Sequence, residues 1–219
     1  MNLQQQSDKL TQEFVAQSPL EIVEHINAGF DEMINSKLDR NALKQGDFAP
    51  DFSLPNATNH RITLTEELKK GTVIITFYRG GWCPFCNLQL RAYQEILEQI
   101  KSFGASLVAI SPELPARSLS TKEKNELDFE VLSDRGNIVA EIYGLAFITP
   151  EVHRQAHQDL DIPLPEINGD ESWKIPITAT YIIDRNRTIV WSHTNPNYRL
   201  RAEPSEILQV LANLNRASI

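Results

Sequence analysis

Cysteine is almost missing from this chain: its 219 residues include two, Cys83 and Cys86, and both fall in one four-residue motif. Without others there is no disulfide framework to hold the core together, and so close a pair fits catalysis better than stapling. Long apolar runs are missing too; none approaches the roughly 20 residues of a membrane helix. The polar start, Met1-Asn2-Leu3-Gln4-Gln5-Gln6, is not that of a signal peptide, so a cytoplasmic location with no membrane partner is expected. Positive charge is in deficit: 21 Lys and Arg against 29 Asp and Glu leave a net charge of −8. That balance argues against nucleic acid held by a basic footprint. There is no internal repeat, no low-complexity tract and no glycine-rich phosphate loop, and no cofactor is expected. What remains, 41% hydrophobic and 23% charged residues, suits a soluble globular domain with a substantial core.

The chain is organised around residues 72–103. Thr72-Val73-Ile74-Ile75-Thr76-Phe77-Tyr78 is β-branched and aromatic without polar alternation, the composition of a strand buried on both faces. Gly80-Gly81 breaks it. Leu90, Tyr93, Ile96, Leu97, Ile100 and Phe103 then recur at three- and four-residue steps, the signature of a one-faced helix. Cys83 stands where strand hands over to helix, with Pro84 at a position the first turn tolerates. The unpaired N–H groups and dipole of that terminus favour a thiolate over a thiol, and Arg79 adds a nearby positive charge. Cys83 is therefore expected to be the exposed, acidic nucleophile. Cys86, one turn further in, can attack whatever Cys83 has bonded to and close a disulfide. Two other readings stay open: a pair of inert buried cysteines, or half of a zinc site completed by His153 and His157. The remoteness of the histidines weighs against zinc, and no metal is expected.

Two helices are expected at 3–17 and 19–38, forming an extension over residues 1–44. They pack either on the domain that follows, 45–219, or on a second copy in a homodimer. Strands are expected at 52–54, 61–64, 106–110, 129–132, 180–184 and 188–193, and helices at 65–69, 114–127, 137–143, 151–160 and 204–215. Buried strands alternating with helices imply an α/β sheet. The short Asp184-Arg185-Asn186-Arg187 turn implies an antiparallel hairpin. Residues 145–174, with Pro150, Pro163, Pro165 and Asn168-Gly169-Asp170, are the least regular stretch; a folded excursion acting as lid or subunit contact is expected. Within it, His153 and His157 read as a solvated helix face.

Three segments say more. Gly46-Asp47-Phe48-Ala49-Pro50-Asp51-Phe52-Ser53-Leu54 resembles the opening of peroxiredoxins of the alkyl hydroperoxide reductase and thiol-specific antioxidant family. Phe77-Tyr78-Arg79-Gly80-Gly81-Trp82-Cys83-Pro84-Phe85-Cys86 is similar to the active-site segment of a branch with a Cys-Pro-Phe-Cys motif. Thr180-Tyr181-Ile182-Ile183-Asp184 is similar to the strand before the last hairpin. The resemblance runs in order across about residues 46–215. It implies a thioredoxin-like fold, a central mixed β-sheet flanked by helices, behind the N-terminal helical extension.

The resemblance also implies a thiol peroxidase with an antioxidant role, reducing hydrogen peroxide or alkyl hydroperoxides. Cys83, as peroxidatic cysteine, would become a sulfenic acid, and Cys86 would condense with it into a disulfide. A thioredoxin- or glutathione-type electron donor would then reduce that disulfide. Trp82 would shield the pair, as a tryptophan precedes the cysteines of thioredoxins. At its centre the pattern departs from the family's. Counted from Cys83, Arg79 and Gly80 replace the proline after Phe-Tyr and the Thr or Ser three residues ahead of the reactive cysteine. The family's catalytic arginine falls on Thr178, and Arg79 is expected to stand in for it. With those donors incomplete, a thiol–disulfide oxidoreductase acting on protein or glutathione disulfides is the alternative, because Cys-Pro-Phe-Cys also resembles the glutaredoxin type of motif. A non-catalytic binding module is a third reading.

Overall fold

The computed structural model describes residues 1–217. The chain opens with α1 (Leu3–Gln17), capped by reciprocal bonds between Asn2 and Gln5, and α2 (Leu20–Asn35). The second helix stops short of residue 38 because Lys37 takes a left-handed conformation, φ 51°. A ribbon of β1 (Ser53–Pro55) and β2 (Arg61–Thr63) and the short α3 (Leu64–Lys70) lead into β3 (Thr72–Phe77). The motif helix that follows is not continuous. It divides at Ile96 (φ −103°, ψ 3°) into α4 (Pro84–Glu95) and α5 (Leu97–Ser102), and the turn brings Leu97 and Ile100 into the core.

β4 (Ala105–Ser111), α6 (Pro115–Lys124), β5 (Glu130–Ser133) and α7 (Ile138–Ile142) come next, both helices shorter than the sequence suggests. The irregular stretch is folded: β6 (Ala146–Ile148), α8 (Glu151–Asp159), α9 (Leu164–Asn168) and β7 (Lys174–Pro176). β6 pairs antiparallel with β7, which closes the neck of the excursion. The chain ends in the hairpin of β8 (Thr178–Ile183) and β9 (Ile189–Asn195), then α10 (Pro204–Ala217).

The main sheet has the order β5-β4-β3-β8-β9, with β3, β4 and β5 parallel and β8 antiparallel to both its neighbours. β3 is central, so both its faces are covered, as its unbroken apolar run requires. Val73, Ile75 and Phe77 pack on the side of α3 and α7, while Ile74 and Tyr78 pack on the side of α4 and α5.

The two N-terminal helices lie on their own domain. Glu203 accepts the amides of Leu3 and Gln4 at 3.0 and 2.8 Å, and Ser7 Oγ donates to the Arg199 carbonyl at 2.7 Å. α2 runs against α8, where His25 meets Asp159 at 2.9 Å. The approach is close enough that a Cβ on Gly29 would lie 2.5 Å from His153 Cβ. The excursion is thus a clasp on the extension. No helix among the described residues is long and apolar enough to cross a membrane.

Candidate active site

Residues 78–82 carry the chain from β3 into α4. Gly80 has φ +150°, and a Cβ there would fall 2.2 Å from Trp82 Nε1, so this corner requires glycine. The Gly81 amide donates to Glu113 Oε2 at 2.9 Å, and its carbonyl accepts from Asn87 Nδ2 at 2.7 Å. Cys83 is the N-cap of α4 and Pro84 begins the helix. The Cys83 carbonyl accepts the amides of Cys86 and Asn87, each at 3.1 Å, which fixes both cysteines in the first turn.

Both are free thiols, and both are buried: Cys83 is 1% exposed and Cys86 0%. The expectation of an exposed Cys83 is corrected. Side chains from α1, α2 and α8, together with Tyr198, wall in the helix mouth that the local pattern leaves open. Nor is Cys83 the acidic thiol. Burial first, then the neighbouring Cys86 sulfur, push its pKa well above the ordinary value. Burial would do the same to Cys86, but the Cys83 thiol and the cations Arg201 and Arg79 outweigh it and hold Cys86 well below the ordinary value. Arg201 is the cation whose guanidinium bonds a sulfur of the pair, and that sulfur is Cys86.

Arg201 is the residue that sequence reasoning missed. Its Nη2 donates to Cys86 Sγ at 3.3 Å, its Nη1 to Gln89 Oε1 at 2.8 Å and its Nε to the Tyr198 carbonyl at 2.5 Å. Gln89 Nε2 donates to Tyr93 Oη at 2.8 Å, and that hydroxyl lies 3.1 Å from Thr180 Oγ1 on β8. The guanidinium on the sulfur is therefore braced against the sheet. Arg201 is 115 residues from Cys86 in sequence, and only its place in Tyr198-Arg199-Leu200-Arg201, just ahead of the last helix, marks it. Glu113 was also missed. It is buried, and burial raises its pKa to about 7 despite the Gly81 amide.

Arg79 is buried beside the pair, and its backbone N–H, not its guanidinium, bonds Cys86. Its guanidinium lies 4.1 Å from the Tyr198 ring centre and 4.9 Å from that of Trp82, and Nη2 is 3.1 Å from His153 Nε2. His153 and His157 are buried against Arg79 and Trp82, not a solvated face. Burial, then Arg79, lowers their pKa values to about 2 and about 3, so both rings are neutral. Because the Arg79 guanidinium can only donate, His153 Nε2 is the acceptor and the ring proton sits on Nδ1. Thr178 lies buried in β8 with an unpartnered hydroxyl and does not line the cavity in front of the cysteines. Pro84, Trp82 and Cys83 do line it, and its volume is about 360 Å³. Among the described residues no three His, Cys, Asp or Glu side chains cluster as metal ligands, so the zinc reading has no ligand set there.

A mixed sheet of this order, with a buried Cys-x-x-Cys pair opening the helix after its central strand, is the arrangement of the thioredoxin-like fold. The AhpC/TSA family model matches residues 45–192, more than half of the chain, and the protein belongs to that family. It is 38% identical over 103 residues to a putative peroxiredoxin bcp of Buchnera aphidicola subsp. Schizaphis graminum, a match spanning 47% of this chain and 65% of that one. It is 25% identical over 172 residues to the chloroplastic peroxiredoxin Q of Oryza sativa subsp. japonica, covering 78% of this chain and 68% of that one. The crystal structure of peroxidoxin BcpB from Mycobacterium tuberculosis superposes with a TM-score of 0.62 at 21% identity, over 78% of this chain and 98% of that one. The thioredoxin-like fold of the peroxiredoxins is thereby shared.

Proposed function

We propose that the protein is a thiol peroxidase in which Cys86 attacks the peroxide and Cys83 resolves it. The order is the reverse of the one expected from the sequence. The observation that carries it is Arg201 on the Cys86 sulfur, because the thiolate is the nucleophile and Cys86 is the cysteine held as thiolate. The family's spacing agrees: three residues ahead of Cys86, where a Thr or Ser is usual, stands Cys83, a second proton donor.

The Cys86 thiolate attacks the distal peroxide oxygen, forming an S–O bond as the O–O bond breaks. The leaving alkoxide takes the Cys83 thiol proton and departs as an alcohol, or as water from hydrogen peroxide. Cys83, now a thiolate, attacks the Cys86 sulfenic acid; the S–S bond forms and hydroxide leaves as water after protonation. A thioredoxin- or glutathione-type donor returns the disulfide to two thiols. Burial of both sulfurs favours the small thiol of the glutathione type and weighs equally against direct exchange with thioredoxin or with protein disulfides unless the site opens. The setting is a thiol-reducing compartment, the cytoplasm, with no nucleic acid, membrane or cofactor involved.

The test is a one-equivalent pulse of hydrogen peroxide followed by trapping of sulfenic acid and peptide mapping. Cys83→Ser should give the adduct on Cys86, and Cys86→Ser should react no faster than a free thiol. Rapid reaction of Cys86→Ser with the adduct on Cys83 would reverse the roles. Reaction of the wild type at only the free-thiol rate would refute the peroxidase.

A further inference from the structure

The cavity before the cysteines is far larger than hydrogen peroxide requires. At about 360 Å³ it falls in the range of sites for small organic ligands. Its apolar walls include Phe14 of α1, Ile26 of α2, Phe85 of α4 and Tyr198. Phe14, Ile26 and Tyr198 lie outside residues 45–192, so this enclosure is completed by parts of the chain beyond the family's shared region.

Its charge is one-sided. Arg79 and Arg199 line it, and among the described residues no Asp or Glu does. Arg79 is 3% exposed, bonds a neutral histidine through Nη2, and has a buried Nε without a partner. Arg199 lies 4.4 Å over the Phe30 ring, and its Nε is likewise buried and unpartnered. Aromatic faces offset only part of the cost of a buried cation. The charge on Cys86 is bonded by Arg201 instead. Two arginines lining an apolar enclosure, each with an unpartnered buried donor and no acid beside them, are complementary to an anion with an apolar body.

We propose that the cavity binds an organic hydroperoxide bearing a carboxylate, with the carboxylate on Arg79 and Arg199 and the apolar body against Phe14, Ile26 and Phe85. The hydroperoxide group then faces Cys83, which lines the cavity and whose thiol bonds the Cys86 sulfur behind it, and the product is the corresponding hydroxy acid. The proposal rests on the peroxidase reading and names its substrate class.

The probes are cumene hydroperoxide carrying a para-carboxylate, its methyl ester, and 4-isopropylbenzoate, which has the acid and body but no O–O bond. The wild type should prefer the acid to the ester in kcat/KM by about tenfold or more, the worth of a charge-assisted hydrogen bond. 4-Isopropylbenzoate should bind, measured by calorimetry and by Trp82 fluorescence, and Arg199→Gln should weaken that binding and collapse the acid-to-ester ratio. Equal rates for acid and ester in the wild type overturn the proposal, as does binding indifferent to Arg199→Gln. If 4-isopropylbenzoate binds through Arg199 while no hydroperoxide outpaces a free thiol, the carboxylate site stands and the peroxide chemistry is overturned.

Discussion

Replacing Arg201 by methionine separates the charge on Cys86 from the cation that bonds it. The 3.3 Å contact is a charged hydrogen bond in a site closed to water. Such bonds contribute about 1.5–3 kcal/mol, which corresponds to roughly one to two units in the Cys86 pKa. Wherever the pH lies below the shifted value, the thiolate fraction and the peroxide rate should fall about 10- to 100-fold. Stability responds with a definite sign. A thiol depressed in the folded state contributes stability fully above its unfolded pKa, about 8.5, and that contribution is lost as pH falls through the folded pKa. Arg201→Met should therefore be most destabilised at alkaline pH, with the gap narrowing toward acid. A constant part of the deficit will remain, because Gln89 loses its buried partner. The assay follows the ultraviolet absorbance of thiolate against pH in a Cys83→Ser background, where one sulfur titrates. A Cys86 pKa unmoved by Arg201→Met would remove Arg201 from the mechanism, whatever the activity did.

Glu113 gives a second pH signature, opposite in direction. Its pKa rises from 4.5 to about 7 on folding, so the wild type should lose up to about 3 kcal/mol as pH rises through that window. Glu113→Gln, which can still accept the Gly81 amide, should abolish the loss; urea titrations on both sides of the window check it, and identical slopes in the two proteins refute the buried carboxyl. Gly29→Ala tests the clasp: its Cβ would sit 2.5 Å from His153 Cβ, and overpacking of this kind costs about 1–3 kcal/mol. Alanine is otherwise the better helix former, so a rise in melting temperature would mean that α2 and α8 do not pack this closely.

The parts of the fold legible in the sequence are those fixed by short-range pattern. The unbroken apolar run of β3, the cysteine at the following helix start and the Asp184–Arg187 turn each follow from neighbouring residues. The folded nature of residues 145–174 was legible as well, from prolines and turn residues. What was not legible depends on partners far along the chain. Burial of Cys83 comes from α1, α2, α8 and Tyr198, and the helix dipole argument, sound for an open terminus, misassigned the acidic thiol once both sulfurs were enclosed. Helical spacing placed His153 and His157 on one face correctly, but nothing in it says that Gly29 lets another helix cover that face.

The positions of the two arginines explain why the loop departs from its family. An arginine directly after Phe77-Tyr78 suggested a replacement for the family's missing catalytic arginine at 178; the Arg79 guanidinium lies on His153 and over the Tyr198 ring, and its charge acts to lower the pKa of both cysteines. Arg201 takes the sulfur from the opposite end of the chain. Arg79 could turn that way only because Gly80, at φ +150°, leaves room for the Trp82 ring to fold back beneath it. His153 accepts its guanidinium only because the ring is neutral. In the proposed reaction, proton donation then falls to Cys83, which stands three residues ahead of Cys86. In the proposed reading one arginine serves the nucleophile and the other the cavity, and the excursion at 145–174 supports the second role, since α8 places His153 on Arg79 and supplies one wall of the cavity.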